Sequence, residues 1–127
     1  MKLVGIVIVS HSQKLAEGVK ELAEMMAREV HIAVAGGLED GMNGVSYERI
    51  NAAVEDVCGR DGAVIFGDMG SAVITTELVI EELKDDKLRL VHAPMVEGVV
   101  RAAALASGGA DVDTIVSRVE ASWHQNN

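Results

Sequence analysis

His11 closes an apolar run, Leu3-Val4-Gly5-Ile6-Val7-Ile8-Val9, and is flanked by Ser10 and Ser12. If that run is the first parallel strand of an open α/β sheet, the imidazole sits at its carboxyl end, where such sheets take their ligands. Asp68 ends a second run, Ala63-Val64-Ile65-Phe66-Gly67, and precedes a small-residue turn, Gly70-Ser71-Ala72. A carboxylate that accepts from one ring nitrogen fixes the tautomer of a histidine and leaves the other nitrogen as a nucleophile. Free N–H groups at a helix start, with small side chains in front of them, hold an anion. Nucleophile, orienting carboxylate and anion seat form one coherent set.

Taken singly, each has a plainer reading. His11 resembles a core histidine satisfied by a carbonyl, Asp68 a strand-ending cap, and Ser71 the N-cap of a tight turn. Gly36-Gly37 similarly reads as a turn, and no Walker signature or P-loop lysine occurs. His31 and His92 alternate with apolar residues and suit packing or surface roles, while His124 is expected in solvent. No His-Glu-x-x-His spacing occurs, and Cys58 reads as a small apolar residue within a helix, so no metal site is expected. Met42, Met69 and Met95 fall on loops or turns near the same edge, where they suit either an adaptable contact surface or gap-filling in the core. Glu39, Asp40, Asp86 and Glu97 read as surface charge, with Glu97 placed in a first helical turn.

The elements that must position His11 and Asp68 follow from hydrophobic period. Residues 3–10 form a continuous apolar strand, of the kind covered on both faces. A helix runs from Ser12 to about Arg28 on Leu15, Val19, Leu22, Ala23 and Met26. Val30 to Ala35 is the second strand, and Ser46 caps a helix through Ile50, Ala53, Val54 and Val57, ending near Gly59. Gly62 to Asp68 is the third strand, followed by a helix through Ile74, Leu78, Val79 and Leu83. Leu88 to Ala93 is the fourth, and Pro94 stands as a first-turn proline ahead of a helix to about Ser107. Asp111 or Asp113 caps the last helix, through Ile115, Val116 and Val119. Alternating β and α predicts an α/β domain with an open, mainly parallel four-stranded sheet and helices on both faces. A strand order of 2-1-3-4 puts the first and third strands side by side at the switch point, with His11 beside Asp68.

Composition fits this reading. At 127 residues, 49% apolar but 2% aromatic, the core must be built from Val, Ile, Leu, Ala and Met. A net charge of −9 argues against nucleic acid and against an anionic membrane surface. One cysteine excludes an internal disulfide. The amino-terminal strand is too short for a signal-peptide core or a membrane span, so a cytoplasmic protein is expected.

Ile6-Val7-Ile8-Val9-Ser10-His11-Ser12, Gly36-Gly37, Asp68-Met69-Gly70-Ser71-Ala72 and Ala93-Pro94-Met95-Val96-Glu97-Gly98, in that order, carry a resemblance. The chain resembles the phosphotransfer subunits of bacterial phosphoenolpyruvate-dependent dihydroxyacetone kinases, within the mannose-type IIA superfamily of the sugar phosphotransferase system. The likeness implies a homodimeric phosphoryl carrier, phosphorylated on His11, with Asp68 orienting the ring and Gly70 and Ser71 beside the phosphohistidine. It implies the histidine-containing phosphocarrier protein as donor. The implied acceptor is ADP on the nucleotide-binding subunit of the kinase, alongside the dihydroxyacetone-binding subunit. Sugar-transport IIA domains carry a longer turn with a proline where Ala72 stands, which favours the dihydroxyacetone branch. Relatives often have a threonine at the position of Val45, so that loop is given no direct phosphate contact.

The expected arrangement is thus a phosphotransfer domain over 1–123 and a frayed tail over 124–127. Chemistry runs through His11, with Asp68 orienting it, and Gly70, Ser71 and Ser12 hold the phosphoryl group without metal or cofactor. Lys14 and Arg101 would supply positive potential if they lie close. Where relatives continue into phosphocarrier and enzyme-I-like domains, this chain is expected to hold the IIA-like part. Two other readings stay open: a IIA component of a mannose-type sugar permease, and a receiver-like or binding module. A receiver needs an acid pair after the first strand, which Ser10-His11-Ser12 lacks.

Overall fold

The computed structural model describes residues 2–57 and 61–124. Strands β1 (Gly5–Ser10), β2 (Ile32–Gly36), β3 (Ala63–Gly67) and β4 (Leu88–Leu90) alternate with helices α1 (Gln13–Glu24), α2 (Tyr47–Val57), α3 (Gly70–Leu83) and α4 (Met95–Ser107), and α5 (Val112–His124) follows. The sheet is wholly parallel, as the alternating pattern predicts, and its order β2-β1-β3-β4 is the expected one. α1, α4 and α5 cover one face over Ile6, Ile8, Val64 and Phe66. α2 and α3 cover the other over Val7, Val9, Ala33 and Ile65. Because β1 is central and buried on both faces, it is apolar at nearly every position rather than alternating.

Register places the site. Val9 is paired with Gly67 and Ser10 with Gly36, so the residues that leave β1 and β3 emerge side by side. The Asp68 N–H extends the ladder by donating to the Val9 carbonyl at 3.1 Å. Asp68 therefore stands beside Ser10, one residue short of His11.

Several boundaries and faces differ from the sequence expectation. β1 begins at Gly5, β2 shifts to Ile32–Gly36, and β4 stops at Leu90. α1 ends at Glu24, where the Met25 N–H is shared between the Glu21 and Leu22 carbonyls and the Met26 N–H turns to the Ala23 carbonyl three residues back. Its buried stripe is Ala16, Val19 and Ala23, while Leu15, Leu22 and Met26 are largely exposed. α3 likewise buries Ala72, Thr76 and Val79 and exposes Ile74 and Leu78. Small side chains let both helices lie close to the sheet, and Thr76 satisfies its hydroxyl by donating to the Ala72 carbonyl at 2.7 Å. Pro94 is the N-cap of α4 rather than its first helical residue. Ser46 caps α2 as expected, and Asp111 caps α5, accepting from the Thr114 N–H at 2.8 Å. Asp113 instead pairs with Arg89. His124 is the last residue of α5 rather than part of a tail. Cys58, Gly59 and residues 125–127 lie outside the described residues.

Candidate active site

The carboxyl edge of the sheet gathers a small, heavily bonded cluster around Asp68. Its Oδ1 lies 2.9 Å from His11 Nδ1 and accepts the Met69 N–H at 2.8 Å. Its Oδ2 accepts the His11 N–H at 3.0 Å and the Ser10 hydroxyl at 2.9 Å. Each carboxylate oxygen thus has two donors, which fills the geometry an ionised carboxylate prefers. Burial works against ionisation of Asp68, but the His11 amide and imidazole and the Ser10 hydroxyl outweigh it and hold the pKa below the ordinary range. An ionised Asp68 must receive a proton from Nδ1. Nε2 is then the ring atom with the free lone pair, and it accepts the Ser71 hydroxyl at 2.8 Å.

The imidazole is partly open, with 27% of its side chain exposed against 13% for Asp68. Nε2 lies on the open side of the ring while Nδ1 is held inside. In front of it α3 begins at Gly70, with φ of +33°, and a Cβ there would meet nothing within 4 Å. The first N–H groups of a helix have no intrahelical acceptor, so Gly70 and Ser71 present a donor-rich, positive helix end to the space before Nε2. Met69 rather than Ser71 is the N-cap of α3, which leaves the Ser71 hydroxyl to His11.

Ser12 sits on the other side of His11 as the N-cap of α1, its oxygen accepting the Leu15 N–H at 3.2 Å. Its own N–H donates to the Ser10 Oγ at 3.0 Å. Ser10 is fully buried and ties α1's start to Asp68, a role that only the β1–β3 register reveals. The Gly44 N–H donates to the His11 carbonyl at 2.9 Å, and the Gly37 N–H to the Ser10 carbonyl at 3.1 Å. Lys14 borders the same concavity as Ser12, Gly41 and Asn43. Arg101 lies elsewhere, in a groove with Met26, Pro94 and Trp123 between α4 and α5. Met42 and Met69 are exposed at this edge, but Met95 is half-buried against the core.

Neither His31 nor His92 takes part. His31 Nε2 pairs with Asp56 at 2.9 Å just ahead of β2, at the opposite edge of the sheet, and His92 is exposed past β4. Among the described residues no group of three or more His, Cys, Asp or Glu side chains is placed to hold a metal ion. No described helix is long and apolar enough to cross a membrane.

A nucleophilic nitrogen, a fixed carboxylate behind it and a helix start in front suit transfer of a dianionic group through a covalent intermediate. The family described as the PTS system fructose IIA component, EIIA-man, matches residues 5–116. The chain is 38% identical over 116 residues to the PTS-dependent dihydroxyacetone kinase phosphotransferase subunit DhaM of Lactococcus lactis, covering 91% of this chain and 93% of that protein. It is 40% identical over 121 residues to the PEP-dependent dihydroxyacetone kinase phosphoryl donor subunit DhaM of Escherichia coli, covering 90% of this chain. The chain spans about a quarter (26%) of that longer relative. Among solved structures, the phosphotransferase system component EIIA from Streptococcus agalactiae superposes with a TM-score of 0.71 at 18% identity, over 98% of this chain and 95% of that one, a likeness of fold.

Proposed function

This chain belongs to the EIIA-man family of phosphotransferase-system IIA components, and from that premise we propose that it is a phosphoryl carrier acting through His11. The observation that carries this is the opposed pair of contacts on one imidazole, Asp68 at Nδ1 and Ser71 at Nε2. In the proposed first step the Nε2 lone pair attacks the phosphorus of a phosphohistidine on the histidine-containing phosphocarrier protein. The donor's P–N bond breaks and its electron pair returns to the donor ring. Ser71 gives up its contact with Nε2 and turns its O–H to a phosphoryl oxygen, beside the Gly70 and Ser71 amides. Ser12 keeps its O–H proton for the same group while its oxygen caps α1. Asp68 stabilises the positive charge that develops on the ring, since Nδ1 keeps its proton throughout.

In the second step a β-phosphate oxygen of ADP, bound on the nucleotide-binding subunit of a dihydroxyacetone kinase, attacks the same phosphorus. The new P–N bond then breaks toward Nε2 and the resting lone pair returns. The names of the relatives support a kinase partner over a sugar permease. Met42 and Met69 are exposed at the same edge, as apolar contacts suited to transient docking. The reading includes a homodimer as the acting form, which sedimentation equilibrium checks.

The direct test is incubation with phosphoenolpyruvate, enzyme I and the phosphocarrier protein, followed by intact mass. Wild type takes up one phosphoryl group, stable to alkali, and His11→Ala takes up none. Passage of the label to ADP only when the kinase subunits are added identifies the acceptor. An uncharged wild type beside a charged donor overturns the relay.

A further inference from the structure

The loop between β2 and α2 is built as a clasp on the backbone of His11. Its Gly44 N–H donates to the His11 carbonyl at 2.9 Å, and Gly44 takes a φ of +148°, which a side chain would strain. The two ends of the loop are tied together by the Ser46 hydroxyl, which donates to Glu39 Oε2 at 2.6 Å. That same Ser46 oxygen accepts the Arg49 N–H at 3.2 Å as the cap of α2. Arg49 then reaches back from α2 to the end of β2, its guanidinium donating to the Gly36 carbonyl at 3.2 Å. Inside the loop the Leu38 N–H meets the Met42 carbonyl and the Met42 N–H meets Asp40 Oδ1. Glu39 is thus no ordinary surface charge. The Ser46 hydroxyl and its own backbone amide hold its carboxyl below the ordinary pKa, so it is the acceptor of this bond at neutral pH.

The consequence for His11 comes from what grips it on each side. On the β3 side its N–H and Nδ1 are held by Asp68, at 3.0 and 2.9 Å. On the β2 side its carbonyl is held by Gly44. With both flanking peptides tethered, the φ and ψ rotations of His11 that would carry the imidazole away from the start of α3 are opposed. We infer that Glu39 is a positioning residue for phosphoryl transfer, acting through Ser46 and Gly44 to hold the His11 backbone in the geometry of attack. This rests on the carrier reading for its kinetic part, and on the fold alone for its structural part.

Two measurements on the same variants keep those parts separate. Amide hydrogen exchange of Gly44 reports the clasp without any chemistry, and phosphoryl uptake from the charged phosphocarrier reports its effect. In Glu39→Ala, Gly44 exchange is expected to rise at least about tenfold and the kcat of uptake to fall by about fivefold, because small losses of alignment cost rate. Any rise in the KM for the phosphocarrier is expected to be smaller than the fall in kcat, since Met42 shares the loosened loop but Met69 does not. Glu39→Gln, whose amide oxygen still accepts from Ser46, is expected to restore most of both. Unchanged Gly44 exchange in Glu39→Ala overturns the clasp, whether or not the protein carries phosphate. Faster exchange with unchanged kcat overturns the positioning role. A raised KM shared equally by the alanine and glutamine variants also overturns it, because that pattern belongs to a docking charge. If wild type takes up no phosphate while Gly44 exchange responds as expected, the carrier reading fails, and the kinetic role of Glu39 with it, but the clasp stands.

Discussion

Opposite edges of one sheet each carry a histidine paired with an aspartate at the same 2.9 Å. At the carboxyl edge Asp68 has 13% of its side chain exposed and accepts from Ser10, Met69 and the His11 amide as well as the ring. At the amino edge Asp56 is 61% exposed on the surface of α2. A pair in water gains little, because solvent screens it and both side chains lose freedom. A pair whose carboxylate is fixed by further donors has one orientation and one protonation pattern. The distance between partners therefore says less about chemistry than the number of groups that hold the acid in place.

The largest difference expected between the two edges is in phosphoryl uptake itself. His11→Ala abolishes it, and His31→Ala leaves it within about twofold, read by intact mass over a time course. Next comes the acid. Asp68→Asn is expected to slow uptake on the order of 10²–10⁴-fold, because the amide no longer enforces the proton on Nδ1. Asp56→Asn changes the rate by less than about twofold, and a comparable loss there would erase the distinction drawn above. Ser71→Ala removes a hydroxyl donor but leaves the helix amides, and a fall of about tenfold in kcat with little change in KM is expected.

Smaller effects appear in stability. The Asp68 pKa is lower in the folded protein, so its stabilising contribution is complete above the unfolded carboxylate value of about 3.9 and is lost as pH falls through its folded value. Asp68→Asn should therefore flatten the acid limb of a chemical-denaturation profile below about pH 4. Asp56→Asn is expected to shift neutral-pH stability by no more than about 0.5 kcal/mol.

Much of this was legible in the sequence because strand and helix alternate cleanly. Apolar runs ending at Ser10 and Gly67, taken with a strand order of 2-1-3-4, bring His11 beside Asp68, and the structure has both. Helical faces were less legible. Period finds Val19, Ala23 and Val79, but the sheet also takes Ala16, Ala72 and Thr76 and leaves the larger Leu15, Leu22, Ile74 and Leu78 outside. Close helix–sheet approach selects small side chains, and hydrophobicity alone does not encode that distance. Ser10 gave no signal of its own, since its hydroxyl matters only once register sets it against Asp68. Glu39 and Ser46 lie seven positions apart across an irregular loop, where no period links them.

Nitrogen-15 NMR of the histidine rings, before and after loading from the phosphocarrier, tests most directly whether Asp68 selects the reacting nitrogen. In the resting protein Nδ1 of His11 should carry the proton and Nε2 should be unprotonated, with a phosphorus coupling appearing at Nε2 on loading. Phosphorus at Nδ1, or a label that sits on a carboxylate and is lost to alkali, would contradict the assignment of Asp68 as the fixed acceptor behind the nucleophile.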